Sequence, residues 1–176
     1  MTLAELISQF AEQILGLIQL RWVNQWEQGV LMRAGQVRKL LTHENGLFGT
    51  GVHFIVPLLD EAHTIEANAD TVLTPVQVHE TQDGEAVSFS FAIRWSVVDA
   101  ARLFSSIHEP KDTLVNEVVM SAGGLIGTID YDDAACFPDE VYRDVSGRLE
   151  EWGIEIEALH LATFARARTM RLITGS

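Results

Sequence analysis

Positive charge and cysteine are both scarce in this chain of 176 residues. Lysine and arginine together number 12, against 25 aspartates and glutamates, which gives a formal net charge of -13 at pH 7. Proteins that bind nucleic acid contact its phosphates through clustered Lys and Arg, so this balance argues against a nucleic-acid partner. Cys136 is the only cysteine, which excludes an intrachain disulfide and a cysteine-based zinc site. Because it stands next to Phe137, we expect it to be a small buried side chain.

Long apolar runs and export signals are also missing. The longest unbroken apolar run among the first twenty residues covers residues 14–18, counting Gly16, whereas a helix that spans a bilayer needs about 20 mainly apolar residues. The N-terminus has neither a basic n-region nor a cleavage-site pattern, so it does not resemble a secretory signal. We therefore expect a cytoplasmic protein without a transmembrane helix.

Motifs of the common enzyme classes are absent as well. The sequence has no phosphate loop, dinucleotide fingerprint, nucleophile elbow or H-E-x-x-H pattern. Its six histidines stand at positions 43, 53, 63, 79, 108 and 160, never three or four residues apart, so no helix supplies a pair of metal ligands. We predict no catalytic residue, no cofactor and no metal site, and we interpret His53 as a packed histidine that is hydrogen-bonded to the backbone.

One acidic group superficially resembles the start of a calcium-binding loop. It contains Asp130, Asp132 and Asp133, but the sixth and twelfth positions, which need Gly and Glu, hold Ala135 and Val141. We interpret the group as a solvated acidic turn that caps the helix after it.

The first residues of the chain have an amphipathic pattern. Apolar residues recur every three or four positions, which predicts a helix with one apolar stripe within residues 1–26. The stripe suits an in-plane membrane anchor, packing on the chain's own domain, or packing on neighbouring subunits. Tryptophans after it are typical either of a membrane interface or of a core. The candidate contact residues are Leu6, Phe10, Ile14, Leu17, Ile18, Trp22 and Trp26.

Strand patterns dominate the middle of the chain. Apolar and polar residues alternate strictly over residues 87–97, which predicts a strand with one buried face. The valines at 72, 76 and 78 predict its partner, and Asp83-Gly84 supplies a hairpin turn between them. Pro75 lacks an N–H, so we expect the partner to be an edge strand or to have a bulge. Further strands are predicted for residues 29–34, 36–42, 52–59 and 154–161.

Helical patterns follow the hairpin. Asp99 can cap a short helix that ends near residue 107, and apolar residues predict a second helix from residue 114 to Gly123-Gly124. Residues 125–129 either continue this helix or form a separate turn. A third helix is predicted from Pro138 to residue 152, with Gly153 just after its end. With strands first and helices later, the predicted fold class is α+β.

The ordered set of these pieces resembles the SPFH, or band 7, superfamily of stomatins, prohibitins and flotillins. The segment GVHFIVPLLD at residues 51–60 is similar to the family's PGLHFIIPFID segment. The other matching pieces are Glu27-Gln28-Gly29-Val30, Pro75-Val76-Gln77, Thr81-Gln82-Asp83-Gly84, Arg94-Trp95-Ser96-Val97 and Trp152-Gly153-Ile154-Glu155-Ile156. Together they extend over about residues 27–161.

The chain departs from the family pattern in places. Thr50 stands where members usually have Pro, and Gly123-Gly124 stands where they commonly have a Leu-Arg pair. No long coiled coil follows residue 161 in this sequence. A short member would have to assemble through its globular domain and its terminal helices.

The resemblance implies a non-catalytic scaffold on the cytoplasmic face of a membrane, of bacterial or phage origin. It implies an SPFH-like domain over residues 27–162, preceded by the N-terminal helix and followed by a short C-terminal helix or tail over residues 163–176. The implied partners are further copies of the chain in a ring or cage, membrane lipid and a membrane-protein client. The alternative function is a soluble adaptor or assembly factor whose N-terminal helix binds a partner protein. The candidate membrane-dipping segment, which a buried strand would equally suit, is Phe54, Ile55, Val56, Pro57 and Leu58.

Overall fold

The structure is a computed structural model that describes residues 19–56 and 59–167. The predicted N-terminal stripe from Leu6 to Ile18, the pair Pro57 and Leu58, and residues 168–176 lie outside the described residues. The chain divides into two compact units. The first comprises Met1–Asn68 and Val97–Ser106, and the second comprises Ala69–Ser96 and Ile107–Ser176.

The first unit is built on short antiparallel strands. Strand β1 (Gln19–Trp22) pairs with β4 (Val52–Ile55). Strand β2 (Glu27–Arg33) pairs with β3 (Gln36–Thr42) along one edge and with β5 (Asp60–Glu66) along the other. The strands predicted for residues 29–34 and 36–42 are therefore confirmed, although β2 begins earlier than expected.

The turn between β2 and β3 explains why these strands form a tight hairpin. Ala34 and Gly35 have φ angles of 52° and 75°, and positive φ at both central residues is what a two-residue hairpin turn of type I′ requires. Glycine adopts such angles without steric cost.

A short helix completes the first unit. Helix α1 (Ala100–Ser106) contacts β2 and β3, and its Leu103 is fully buried. The Asp99 carboxylate accepts hydrogen bonds from the N–H groups of Ala101 (2.9 Å) and Arg102 (3.0 Å), so the predicted helix cap is confirmed. The core of this unit contains Val23, Leu31, Leu41 and Ile55.

The second unit is centred on a long strand, β8 (Ala86–Val97). Strands β6 (Asp70–Leu73) and β7 (Gln77–Glu80) follow each other along one edge of β8, and β9 (Ile154–Arg166) pairs with β8 as well. The predicted hairpin is confirmed. Its first arm is interrupted around Pro75, where the pairing register with β8 shifts by one residue, because proline cannot donate a ladder hydrogen bond.

Helices cover one face of this sheet. Helix α2 (Pro110–Ile126) continues through Gly123-Gly124 without a break. Of the segment 125–129, the first two residues continue this helix and the next two form a turn. A 3-10 turn (Tyr131–Cys136) leads into α3 (Phe137–Glu151), and Gly153 follows with a φ of 80°, as expected for a residue just past a helix end. The fully buried side chains of this core include Phe89, Phe91, Ile93, Leu114, Val118, Phe137, Val141, Val145, Leu149 and Ile154.

The predicted N-terminal helix does not extend into the described residues. Residues 19–22, expected to be helical, form β1 because their backbone pairs with β4. A short C-terminal helix or tail was expected over residues 163–176, and the first part of this range belongs to β9, which continues to Arg166. There the Phe164 ring packs on Tyr131 with 5.4 Å between centroids, and the Arg166 guanidinium lies 4.4 Å from the Tyr131 ring centre.

The expected burial of Cys136 is also wrong, because this thiol is exposed. Its neighbour Phe137 is fully buried instead and packs against Phe89 and Phe91 with centroid distances of 5.3 and 5.4 Å. At the first turn of α3 only one of the two neighbouring side chains points into the core, and the aromatic ring takes that position.

Candidate functional site

One face of the β1–β4 pair exposes large apolar side chains. Leu20 lies directly opposite Phe54, and Trp22 lies directly opposite Val52. Directly opposed residues of an antiparallel pair project from the same face. The side chains of Leu20, Trp22 and Phe54 therefore share one face, which is called the ribbon surface from here on.

The ribbon surface is exposed although its side chains are large and apolar. Leu20, Trp22 and Phe54 are 65%, 61% and 56% exposed, respectively. Single exposed apolar residues are ordinary on a protein surface, whereas a contiguous group typically marks a contact with a partner or a membrane. The residue types also matter, because tryptophan favours the level of lipid headgroups.

The opposite face of the pair is buried along β4 only, because Gln19 and Arg21 of β1 are exposed. His53 and Ile55 alternate with Phe54 and are 2% and 7% exposed. The His53 Nε2 lies 2.9 Å from the Thr42 carbonyl oxygen, so Nε2 carries the proton and donates it. The predicted packed histidine with a backbone partner is confirmed. Val23, just after β1, is fully buried and donates its N–H to the Gly51 carbonyl at 2.8 Å.

A buried carboxylate holds the two ends of the segment that follows β4. The Arg33 Nε donates to one oxygen of Asp60 at 2.7 Å, and the Val56 N–H donates to the other at 3.1 Å. The Asp60 N–H in turn donates to the Val56 carbonyl at 2.8 Å. The hydrogen bond from Arg33 lowers the pKa of Asp60 below its ordinary value, so this carboxyl is ionised at neutral pH.

Exposed aromatic side chains are concentrated in this unit. Besides the ribbon surface, Trp26 is 49% exposed and Phe48 is 97% exposed. Phe48 also has a φ of 54°, an uncommon angle for a bulky residue. Leu59, just before β5, is 58% exposed. In the second unit the exposed large apolar side chains are mostly aliphatic, as at Leu73, Val76, Val78 and Met120.

Charge is distributed unevenly between the units. The first unit has five Lys and Arg residues and eight Asp and Glu residues, a formal net charge of -3. The second unit has seven Lys and Arg residues and 17 Asp and Glu residues, a formal net charge of -10. Most of the negative charge thus lies outside the unit that exposes the ribbon surface.

The candidate contact residues have different positions in the structure. Trp22 and Phe54 are brought together on the ribbon surface, and Trp26 is exposed in the turn between β1 and β2. Both tryptophans are therefore surface residues, not core residues. Ile55 is buried because the alternation of β4 turns it inward, so the structure does not support a membrane contact for it. Val56 is half-buried.

Sequence reasoning missed Leu20 and Asp60. Leu20 was assigned to the predicted helix, and only its pairing with Phe54 shows its role. Asp60 was noticed as the last residue of the family-like segment at residues 51–60, which was the available signal, but nothing in the local sequence indicated Arg33 as its partner.

No metal site or membrane-crossing helix emerges from the described part of the chain. Within residues 19–56 and 59–167, no group of three or more His, Cys, Asp or Glu side chains is arranged to hold a metal ion. Asp130, Asp132 and Asp133 are exposed, as expected for a solvated turn, but Asp130 makes no side-chain capping bond to the 3-10 turn after it. Over the same residues, no helix is both long and apolar enough to cross a bilayer.

Comparison with known proteins is consistent with this geometry. A family model described as SPFH domain / Band 7 family matches residues 21–165. A protein of Archaeoglobus fulgidus, itself described as uncharacterized, is 23% identical over 157 residues, which cover 87% of this chain and 60% of that protein. Stomatin homologs of Pyrococcus horikoshii and Pyrococcus abyssi are each 22% identical over 143 residues, which cover 79% of this chain and 51% of theirs. The chain thus spans between half and two thirds of the length of these relatives.

Proposed function

The chain belongs to the SPFH domain / Band 7 family, and from this membership we propose that it is a non-catalytic scaffold at the cytoplasmic face of a membrane. Members of this family are generally membrane-associated scaffolds. In this proposal the first unit contacts lipid, copies of the chain assemble into a closed homo-oligomer, and the assembly organises membrane-protein clients.

The ribbon surface carries the membrane part of the proposal. Leu20, Trp22 and Phe54 together offer lipid a contiguous apolar face. Phe54 is held on β4, whose other side is packed into the core through His53 and Ile55, and β1 is paired with this strand. The strand β1 also continues directly from the predicted amphipathic stripe, which would place helix and ribbon at the same membrane.

The charge distribution supports the same orientation. Anionic lipid gives the cytoplasmic leaflet a negative surface potential, which repels the second unit with its net charge of -10 more strongly than the first unit. A membrane contact through the first unit, with its net charge of -3, involves the less negative of the two units.

The oligomeric part of the proposal is supported by the sheet of the second unit. Strand β9 has 13 residues, and within the described residues it pairs only with β8. Charged side chains and proline commonly protect a sheet edge from pairing with another chain. Residues 158–165 of β9 contain neither, so this edge is open to a second copy. A head-to-tail contact that closes on itself gives a ring.

The membrane contact is tested by flotation of the purified protein with lipid vesicles. Replacing Leu20 and Phe54 by threonine keeps residues that suit a strand while removing apolar area, so we expect less protein to float with the vesicles. The matched control replaces Leu73 and Val78, which are similarly exposed in the second unit, and should float as the unchanged protein does. Equal flotation of both variants would contradict the proposed contact.

Removal of residues 1–18 distinguishes the two proposed functions, a membrane scaffold and a soluble adaptor. A scaffold anchored by the predicted helix and the ribbon surface should lose flotation when both are altered. An adaptor whose N-terminal helix binds a partner protein should show no flotation in any form. Mass photometry of the full chain tests assembly, because a monomer at every concentration would rule out the ring or cage.

A further inference from the structure

The second unit has a cleft on its helical side that the proposed membrane contact does not use. It has a volume of about 470 Å³ and lies between α2 and α3. Its apolar lining comes from Met120, which is 72% exposed, and from Leu125. A side chain at Gly124 would meet no atom within 4 Å, so the missing side chain of this residue leaves the cleft open.

The rim of the cleft is polar and carries two carboxylates and one guanidinium. The Arg148 guanidinium bridges Glu117 (3.3 Å) and Asp144 (3.2 Å), and the Ser121 hydroxyl donates to the same Asp144 carboxylate at 2.7 Å. These bonds orient the rim side chains and neutralise Arg148. Beyond Asp144, an adjoining depression is lined by Leu125, Glu140 and Arg143.

The charge of the whole unit indicates which partner such a cleft attracts. With a net charge of -10, the second unit draws basic partners towards it and repels acidic ones. The cleft itself offers room for an apolar side chain between the helices. A basic helix with one apolar face matches both features, because its apolar residues are buried in the groove and its charges remain at the rim.

We propose that this cleft binds the basic segment next to the membrane-spanning helix of an integral membrane protein. The inference rests on the proposed function, since a scaffold at the cytoplasmic face meets such segments there. Cytoplasmic segments beside membrane-spanning helices are rich in Lys and Arg, so their charge is opposite to that of the second unit. The cleft is thus the client site of the scaffold.

The test uses the full chain in solution, without lipid, so that its outcome does not depend on the ribbon surface. The probe is a dye-labelled lysine-rich helical peptide with leucines along one face, and its binding is followed by fluorescence anisotropy. Gly124→Leu fills the cleft and should weaken binding about tenfold or more. Leucine also favours a helix over glycine, so the thermal midpoint should not fall and misfolding cannot imitate the result.

Matched controls make the test specific. Gly147→Leu changes an exposed glycine of α3 that likewise has no atom within 4 Å of an added side chain, and it should leave binding unchanged. The same peptide with serines in place of leucines should bind much more weakly. Equal binding of both peptides, or of Gly124→Leu and the unchanged protein, would overturn the proposal.

A third variant tests whether the cleft is filled by the chain's own C-terminal residues instead of a client. Residues 168–176 contain Arg168 and Arg171, so this end of the chain is basic as well. Removing it should leave peptide affinity unchanged if the cleft receives a client. A large gain in affinity would identify the chain's own end as the occupant and overturn the proposal. Failure of any of these peptide tests leaves the flotation result intact, and loss of flotation leaves the peptide result intact.

Discussion

The Asp60 side chain connects β2 to the segment between β4 and β5. Its carboxylate receives the Arg33 guanidinium and the Val56 N–H, and its side chain is only 3% exposed. A buried carboxylate that lost these donors would be left without compensation for its lost hydration. The hydrogen bonds of Asp60 with Arg33 and Val56 therefore fix where β4 ends and β5 begins, next to the ribbon surface.

The lowered pKa of Asp60 gives a prediction about stability and pH. The folded state favours the ionised carboxyl, so Asp60 contributes to the free energy of unfolding above the ordinary aspartate pKa of about 3.9. This contribution is lost as the pH falls through the lower pKa of the folded state. Asp60→Asn should lower the free energy of unfolding at neutral pH, and the difference from the unchanged protein should shrink in acid. Urea unfolding at neutral and acidic pH measures both.

The control for this prediction is a more exposed aspartate whose pKa is shifted in the same direction. Asp70 pairs with Lys111 at 2.8 Å, but its side chain is half exposed, and the hydrogen bond from Lys111 lowers its pKa. Solvent screens such a pair, so Asp70→Asn should lower the free energy of unfolding by less than Asp60→Asn does. A difference at Asp60 that stayed constant across the pH range would contradict the role of its ionised form.

Among loops and strands, the connection before β4 determines the position of the ribbon. Gly51 has a φ of 73°, its N–H donates to the His43 carbonyl at 2.9 Å, and its carbonyl accepts from Val23. An added side chain at Gly51 would collide with the Val23 carbonyl oxygen. The short distance between these backbones therefore depends on glycine.

Two glycine substitutions separate backbone strain from this collision. Gly49 has a φ of 70° and open space around an added side chain. Gly49→Ala should therefore lower the free energy of unfolding only by the strain of an alanine in the left-handed backbone region, about 1 kcal/mol. Gly51→Ala adds a backbone clash and should cost about 3 kcal/mol. Urea unfolding compares the variants, and equal losses would show that the backbone near Val23 moves without cost.

For the chain as a whole, the uneven charge predicts which vesicles it prefers. If the ribbon surface provides the contact and the second unit carries the net charge of -10, anionic lipid should weaken binding. Binding to zwitterionic vesicles should exceed binding to anionic ones at low salt, and added salt should reduce the difference by screening. Flotation with both lipids measures this. Binding that needs anionic lipid and disappears with salt would contradict an apolar contact.

The fold class and most strands and helices were predictable because their signals are local. The alternation over residues 87–97 depends only on neighbouring residues and matches the buried side chains of β8. The Asp99 cap and the turn at Gly153 also use residues within a few positions of each other. The family-like segment at residues 51–60 indicated the region that holds Phe54 and Asp60.

The sequence by itself therefore determined the α+β class, the hairpin with its interruption at Pro75, and the family. Only the tertiary structure decided that residues 19–22 form a strand, that Leu20 and Trp22 share a face with Phe54, and that Gly124 opens a cleft towards α3. The physical reason is distance along the chain. A strand needs hydrogen-bond partners and a cleft needs opposing walls, and here both come from segments that no local pattern relates.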